Sequence, residues 1–183
     1  MADYLSLAFL VFVINLIPAF MPPTWLILSR ELFRDSGFDP LMLALVGAIA
    51  STLGRAGLML FSSFFRRFFS KQIEHHAEEI REFFDKKEKE LFMGTFLYAL
   101  SPFPSNLIFI ANGLTKVDWK PIFPAFFLGR LISYYVLIRV SGIAFSFFGS
   151  YLSASALDLV GLIAAVSIVF VDWKKFFSKK AKK

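Results

Sequence analysis

Four charged residues stand well inside otherwise apolar stretches of this sequence, away from their ends: Arg55, Arg130, Arg139 and Asp158. A charge in hydrocarbon is costly, so such residues face a bundle interior, pair with one another or line a substrate path. Arg55 and Arg130 each follow a glycine, Gly54 and Gly129. Two arginines beside a polar cavity would bind an anion, and the planar guanidinium fork suits a phosphate. Arg139 and Asp158 fall at similar depths on consecutive antiparallel spans and read as a structural ion pair.

Other chemistry finds little to stand on. Cysteine is absent, which removes disulfide, thiolate and Cys–metal readings together. The two histidines, His75 and His76, are adjacent and would point about 100° apart on a helix. His75 with Glu78 or Glu79 makes at most a partial metal site, and solvated charge accounts for them. No nucleophile elbow, phosphate loop or paired metal histidines occur. The expectation is a protein that is not an enzyme, with no metal and no cofactor.

The elements that must position the arginines are apolar. Hydrophobic residues make up 57% of the chain and mean hydropathy is +0.63, above the roughly 45–50% apolar share of soluble domains. Bilayer is the simpler solvent. The N-terminal run MADYLSLAFLVFVINLIPAF lacks a basic n-region, so it reads as part of the mature fold. Five apolar stretches stand out, at about 4–29, 41–65, 91–114, 121–149 and 151–173. The second, fourth and fifth satisfy the roughly 20 residues of a simple span. The first is broken at Pro18, Pro22 and Pro23, and the third at Pro102 and Pro104. Proline removes a backbone donor and clashes with the preceding turn, so neither can be one straight helix. Each half is too short to cross, which predicts two re-entrant hairpins around a polar cavity.

A repeat supports that reading. Shifting the sequence by 81 positions lays Pro23 on Pro104, Thr24 on Ser105, Leu26 on Leu107, Ile27 on Ile108, Phe38 on Trp119 and Pro40 on Pro121. Interrupted helices at matching positions point to a transporter site at the repeat interface. Ser101, Ser105, Asn106 and Asn112 gather about the second hairpin, and Thr24 and Asn15 flank the first. They serve either to satisfy backbone freed by the prolines or to contact a ligand. Gly47, Ala50, Ser51, Gly54 and Gly57 form a small-residue stripe suited to close helix packing.

The predicted fold is an all-α integral membrane protein, one polytopic domain over 1–183. Repeat one spans 4–65 and repeat two 91–149, each a re-entrant hairpin followed by a transmembrane helix. An amphipathic helix at 66–90 joins them, its stripe set by Phe69, Ile73, Ala77, Ile80 and Phe84. A C-terminal transmembrane helix and basic tail occupy 151–183. Lys and Arg concentrate in 66–90, at Lys116 and Lys120 and in the tail, so these faces and the C-terminus are expected to be cytoplasmic. Arg55 and Arg130 then fall somewhat to the cytoplasmic side of the midplane. Trp119 and Trp173 read as interfacial anchors. The basic tail reads as membrane-surface charge, which argues against nucleic acid as a partner.

The run ALSPFPSNLIFIANGLTKVDWKPIFPAFFLGRLISYY, with its proline hairpin, Gly113 and Gly129-Arg130, resembles the DedA superfamily, also called the VTT or SNARE-associated family. With the first hairpin included, the resemblance covers roughly residues 5–150. It implies two facing re-entrant hairpins, homodimers, a prokaryotic cell membrane and transport of polyprenyl phosphate or phospholipid. Arg130 carries over. Typical members resemble each other in an acidic residue at the first hairpin and arginines around the second hairpin's prolines. Here the first tip has Thr24 and Trp25, with Glu31 the nearest acid, and the second tip has serine and asparagine. That departure favours uncoupled lipid movement over a proton-driven pump. Three functions are carried forward: a lipid translocase holding a phosphate at Arg55 and Arg130, with Thr24, Ser105 and Asn106 lining its site; an ion- or proton-coupled exporter of small solutes; and a non-transporting membrane-organising protein.

Overall fold

A computed structural model describes residues 3–18, 22–34, 37–65, 87–101, 105–115 and 117–148. Six α-helices and no strand occur among them: α1 (Tyr4–Leu16), α2 (Thr24–Arg34), α3 (Pro40–Phe65), α4 (Glu88–Leu100), α5 (Asn106–Thr115) and α6 (Ile122–Phe148). Residues Met1–Ile143 form one compact unit, and the last turn of α6 belongs to a second, Ala144–Lys183. Residues 66–86 of the expected 66–90 amphipathic helix, the hairpin prolines Pro102 and Pro104, and the C-terminal span with Asp158 lie outside the described residues.

The prolines set the helix ends. The residue before a proline is pushed out of the helical region towards extended backbone. Ile17, before Pro18, has φ −78° and ψ 130°, and α1 stops there. Ser101, before Pro102, has φ −78° and ψ 156°, and α4 stops in the same way. The long helices begin by the opposite use of proline, which is pre-shaped for a first turn and needs no N–H there. Pro40 opens α3 while the Asp39 carboxylate accepts hydrogen bonds from the Leu41 and Met42 amides, at 2.9 Å each. Asp3 caps α1 likewise, accepting from the Ser6 hydroxyl and the Leu5 and Ser6 amides. The Ser6 hydroxyl, then the Ser6 amide, hold the Asp3 carboxyl below its usual range. A lowered folded value means this cap stabilises above the ordinary carboxylate pKa and is lost as pH falls through the lowered one.

Contacts give the helix directions. Tyr4, at the start of α1, meets the loop that follows α2: its ring lies 4.9 Å from that of Phe38, and its hydroxyl accepts from the Asp39 amide at 3.0 Å. The chain therefore leaves along α1 and returns along α2 to where it began. At 13 residues α1 is about 20 Å long, against about 39 Å for the 26-residue α3. Further along, Phe12 and Asn15 lie against Gly54 and Leu16 against Gly57, so α1 and α3 run parallel. In the second half, Leu91 packs into the cluster of Val117, Ile122 and Phe126, while Phe96 and Ala99 lie on Gly129. Helices α4 and α6 are thus parallel as well. Gly47 of α3 meets Tyr134 of α6, whereas Leu58, later in α3, shares a cluster with Phe126, earlier in α6. The two long helices therefore run in opposite directions.

Helices α3 and α6 are long and apolar enough to cross a membrane. Both expose large apolar side chains, among them Leu53, Leu60 and Phe61 on α3 and Ile132, Val136 and Val140 on α6. Apolar surface of that extent marks contact with lipid or another protein. One boundary differs from the sequence reading. Helix α4 starts at Glu88, inside the segment assigned to the amphipathic helix, because Glu88 and Glu90 in its first turn complement the positive end of its dipole.

The small-residue stripe does what close packing requires. A Cβ on Gly54 would fall 2.6 Å from the Phe12 carbonyl oxygen and 2.7 Å from Asn15 Cβ. Both belong to a packed helix and cannot swing away. Gly54→Ala is expected to destabilise by about 1–3 kcal/mol, the usual range for overpacking. Gly94, with no atom within 4 Å of its Cβ position, is the control. Gly94→Ala should be neutral or stabilising by up to about 1 kcal/mol, the helix propensity difference. Thermal unfolding of both variants in one detergent checks the contrast.

Candidate functional site

A helix leaves its last carbonyls without partners, and the arginines take two of them. Arg55 Nη1 donates to the Asn15 carbonyl of α1 at 3.0 Å. Arg130 Nη1 donates to the carbonyl of Ser101, the residue that ends α4, at 3.2 Å. Each guanidinium therefore sits on the negative end of a proline-broken helix, where a cation is favoured. The placement is matched in both halves. Gly54 lies on Phe12 and Asn15 of α1, and Gly129 lies on Phe96 and Ala99 of α4. The following arginine then reaches the break in each case.

The two arginines are brought together. Arg55 is 8% exposed and Arg130 6% exposed. Arg55 lies within electrostatic reach of both Arg130 and Tyr134. The Arg130 guanidinium carbon stands 5.3 Å from the Phe126 ring centroid and 5.7 Å from that of Tyr134, so aromatic faces replace part of its hydration. Two like charges in a low-dielectric interior repel, and a single anion between them relieves both that repulsion and part of the desolvation cost. Each guanidinium carries five N–H donors. One of Arg55's is given to Asn15, and its Nε is buried with no hydrogen-bond partner among the described residues.

Thr24 joins the same cluster through Asn15. The Asn15 amide donates to Thr24 Oγ1 at 3.0 Å and to the Val11 carbonyl at 2.8 Å. The bond to Thr24 ties the end of α1 to the start of α2 across the break, while the bond to Val11 stays within α1. Ser105 is buried just before α5, and Asn106 opens that helix. Asn112, also buried, donates to the Val117 carbonyl and closes the loop between α5 and α6. Pro18 and Pro22 are exposed at the first break, while Pro23 is partly buried. Arg139 is exposed on α6, and its expected partner Asp158 lies outside the described residues. A separate cavity of about 360 Å³ lies where α1 begins and α2 ends, lined by Asp3, Ser6, Glu31, Arg34 and apolar neighbours.

Three residues carry more of this site than sequence reasoning assigned them. Asn15 bridges Thr24 and Arg55, and a lone amide three residues before a proline was the available signal. Ser133 Oγ donates to the Ala99 carbonyl at 3.2 Å, meeting another freed carbonyl at the end of α4. Tyr134 packs against Gly47 and beneath Arg130; nothing in the SYY run separates it from Tyr135. No group of three His, Asp or Glu suited to a metal occurs among the described residues. Compared with known proteins, the chain matches no family model, no curated protein and no solved structure.

Proposed function

We propose that this protein moves a phosphate-bearing lipid across a bilayer, holding the phosphate between Arg55 and Arg130. The observation that carries the reading is the buried pair itself: two guanidiniums, each on the carbonyl end of a proline-broken helix, within electrostatic reach of each other. Phosphate suits such a pair, since the planar guanidinium fork matches two of its oxygens. The reading takes α1–α2 and α4–α5 as re-entrant hairpins of an inverted repeat. It is supported by parallel contacts within each half and opposed directions of α3 and α6. The acyl chains stay in the bilayer against the exposed apolar faces. Neither long helix contains an acidic residue, so a carboxylate proton carrier on α3 or α6 is not part of the mechanism. A DedA-type translocase working without proton coupling fits these features.

The experiment is headgroup exchange in liposomes. Purified protein is reconstituted with a fluorescent phospholipid, and dithionite-accessible signal is followed for wild type beside Arg130→Ala. The reading expects faster exchange than in protein-free liposomes and its loss in the variant. Wild-type exchange no faster than in empty liposomes, or an active Arg130→Ala, overturns it.

A further inference from the structure

The cavity of about 360 Å³ at the far end of the first hairpin from its break is no part of the arginine site. Asp3, Ser6, Leu7 and Leu10 line it from α1, recurring every three or four residues, and Glu31 and Arg34 line it from one turn of α2. Phe38 completes the wall. The depth of the cavity follows from Tyr4, which touches Phe38 and the Asp39 amide just before α3 begins. At 26 residues, about 39 Å, α3 exceeds the roughly 30 Å hydrocarbon core of a bilayer, so its ends reach the headgroup layer. The cavity therefore stands at headgroup height when α3 spans.

Both signs of charge line it. The Glu31 side chain is 24% exposed and accepts no hydrogen bond among the described residues; Arg34 stands 3.7 Å away, beyond ordinary hydrogen-bond reach. The Asp3 carboxylate, with about four acceptor positions, takes the Leu5 and Ser6 amides and the Ser6 hydroxyl, which leaves one open. Carboxylates beside an apolar wall bond best to a donor that carries positive charge, and a primary ammonium brings three N–H groups. A bare divalent cation fits poorly, because the Arg34 guanidinium in the wall repels it. That guanidinium suits a phosphate instead. Leu10 is exposed as well as part of the wall, and Leu5 and Phe9 add apolar surface near it. That side gives an acyl chain a way out to the bilayer.

We infer that this cavity is an interfacial site for a zwitterionic phospholipid headgroup bearing a primary ammonium, with the ammonium on Glu31 and Asp3 and the phosphate on Arg34. The site needs α3 to span a bilayer and is independent of lipid translocation.

Native mass spectrometry of the full-length protein, released from maltoside micelles, tests it. Dihexanoyl phosphatidylethanolamine, dihexanoyl phosphatidylcholine and glycerophosphoethanolamine are added separately. Phosphatidylethanolamine should bind about fivefold or more tighter than phosphatidylcholine, whose quaternary ammonium has no N–H to donate. Glu31→Gln should weaken phosphatidylethanolamine about three- to tenfold and remove the preference. Arg34→Gln should weaken both lipids and keep the preference, because it removes a phosphate contact and leaves the carboxylates. Equal affinity for glycerophosphoethanolamine supports the site and shows that it reads the headgroup alone; a tighter lipid shows that the Leu10 side holds an acyl chain. Equal affinity of the wild type for the two lipids overturns the proposal, and so does an undiminished preference in Glu31→Gln. The wild-type preference is read without any variant, so a poorly folding substitution does not spoil it. Selective binding without lipid exchange in liposomes would sink translocation and leave this site standing. Exchange without selective binding would do the reverse.

Discussion

Substituting glutamine for both Arg55 and Arg130 is expected to bring lipid exchange down to the rate of protein-free liposomes. Hydrogen bonds to charged groups contribute about 1.5–3 kcal/mol, and about 1.4 kcal/mol is a factor of ten. Each single substitution should therefore slow exchange about 10- to 100-fold, with the double variant below detection. Glutamine keeps an N–H donor for the Asn15 and Ser101 carbonyls, so the hairpins retain their ties to α3 and α6. That separates ligand binding from helix capping. If the arginines serve only as caps, glutamine variants retain exchange and alanine variants lose stability. If they hold phosphate, glutamine variants lose exchange at near wild-type unfolding temperature. Arg130→Lys should fall between, because the ammonium keeps the charge and loses the planar fork and its contact with the Phe126 and Tyr134 rings.

The largest loss of stability is expected from Gly113→Leu. Gly113 of α5 sits directly on the Met59 carbonyl of α3, with Ser62 Cβ 2.9 Å from where its own Cβ would be. Phe109, one turn earlier, is fully buried and packs edge-on to Phe126 with ring centroids 4.8 Å apart. This contact joins the second hairpin to the first long helix, so separating it would expose the cluster of Leu58, Phe109 and Phe126. A leucine cannot fit without moving backbone, and the cost should exceed the roughly 1–3 kcal/mol of ordinary overpacking. Loss of the monodisperse folded species on size exclusion in detergent is the expected result. Gly113→Ala should give an intermediate unfolding temperature; wild-type stability in both variants would contradict the close α3–α5 approach.

Much of the fold is readable from prolines and hydropathy. Pro18 and Pro102 follow the residues where α1 and α4 end, and Pro40 opens the first long helix, because proline's constraints act within its own neighbourhood. The start of α4 was less legible: Glu88 and Glu90 look like solvated charge, yet they occupy a first turn where the dipole welcomes them. Arg55 and Arg130 stand out as candidates from charge in apolar runs, and the sequence reading already sets them at one phosphate. The helix-end carbonyls that they bond were not legible. The 81-residue repeat that aligns the loops would lay Arg55 on Val136, a residue exposed on α6. Packing sets a different register, with Gly54 seated on α1 and Gly129 on α4. Depth along a helix follows from counting residues, but the facing direction depends on which neighbour a glycine admits. Asn15 was legible as a polar group at the first break, but its partners were not: whether a polar group is satisfied depends on residues far away in sequence, such as Arg55 for the Asn15 carbonyl.

The central claim is that the arginine pair recognises phosphate on a lipid. The most direct measurement compares two fluorescent lipids in the same proteoliposomes, one phosphatidylglycerol and one uncharged glucosylceramide, by dithionite accessibility. The account predicts accelerated exchange of the phosphatidylglycerol alone, lost in the Arg55→Gln, Arg130→Gln double variant. Equal acceleration of both lipids, or of neither, would contradict it.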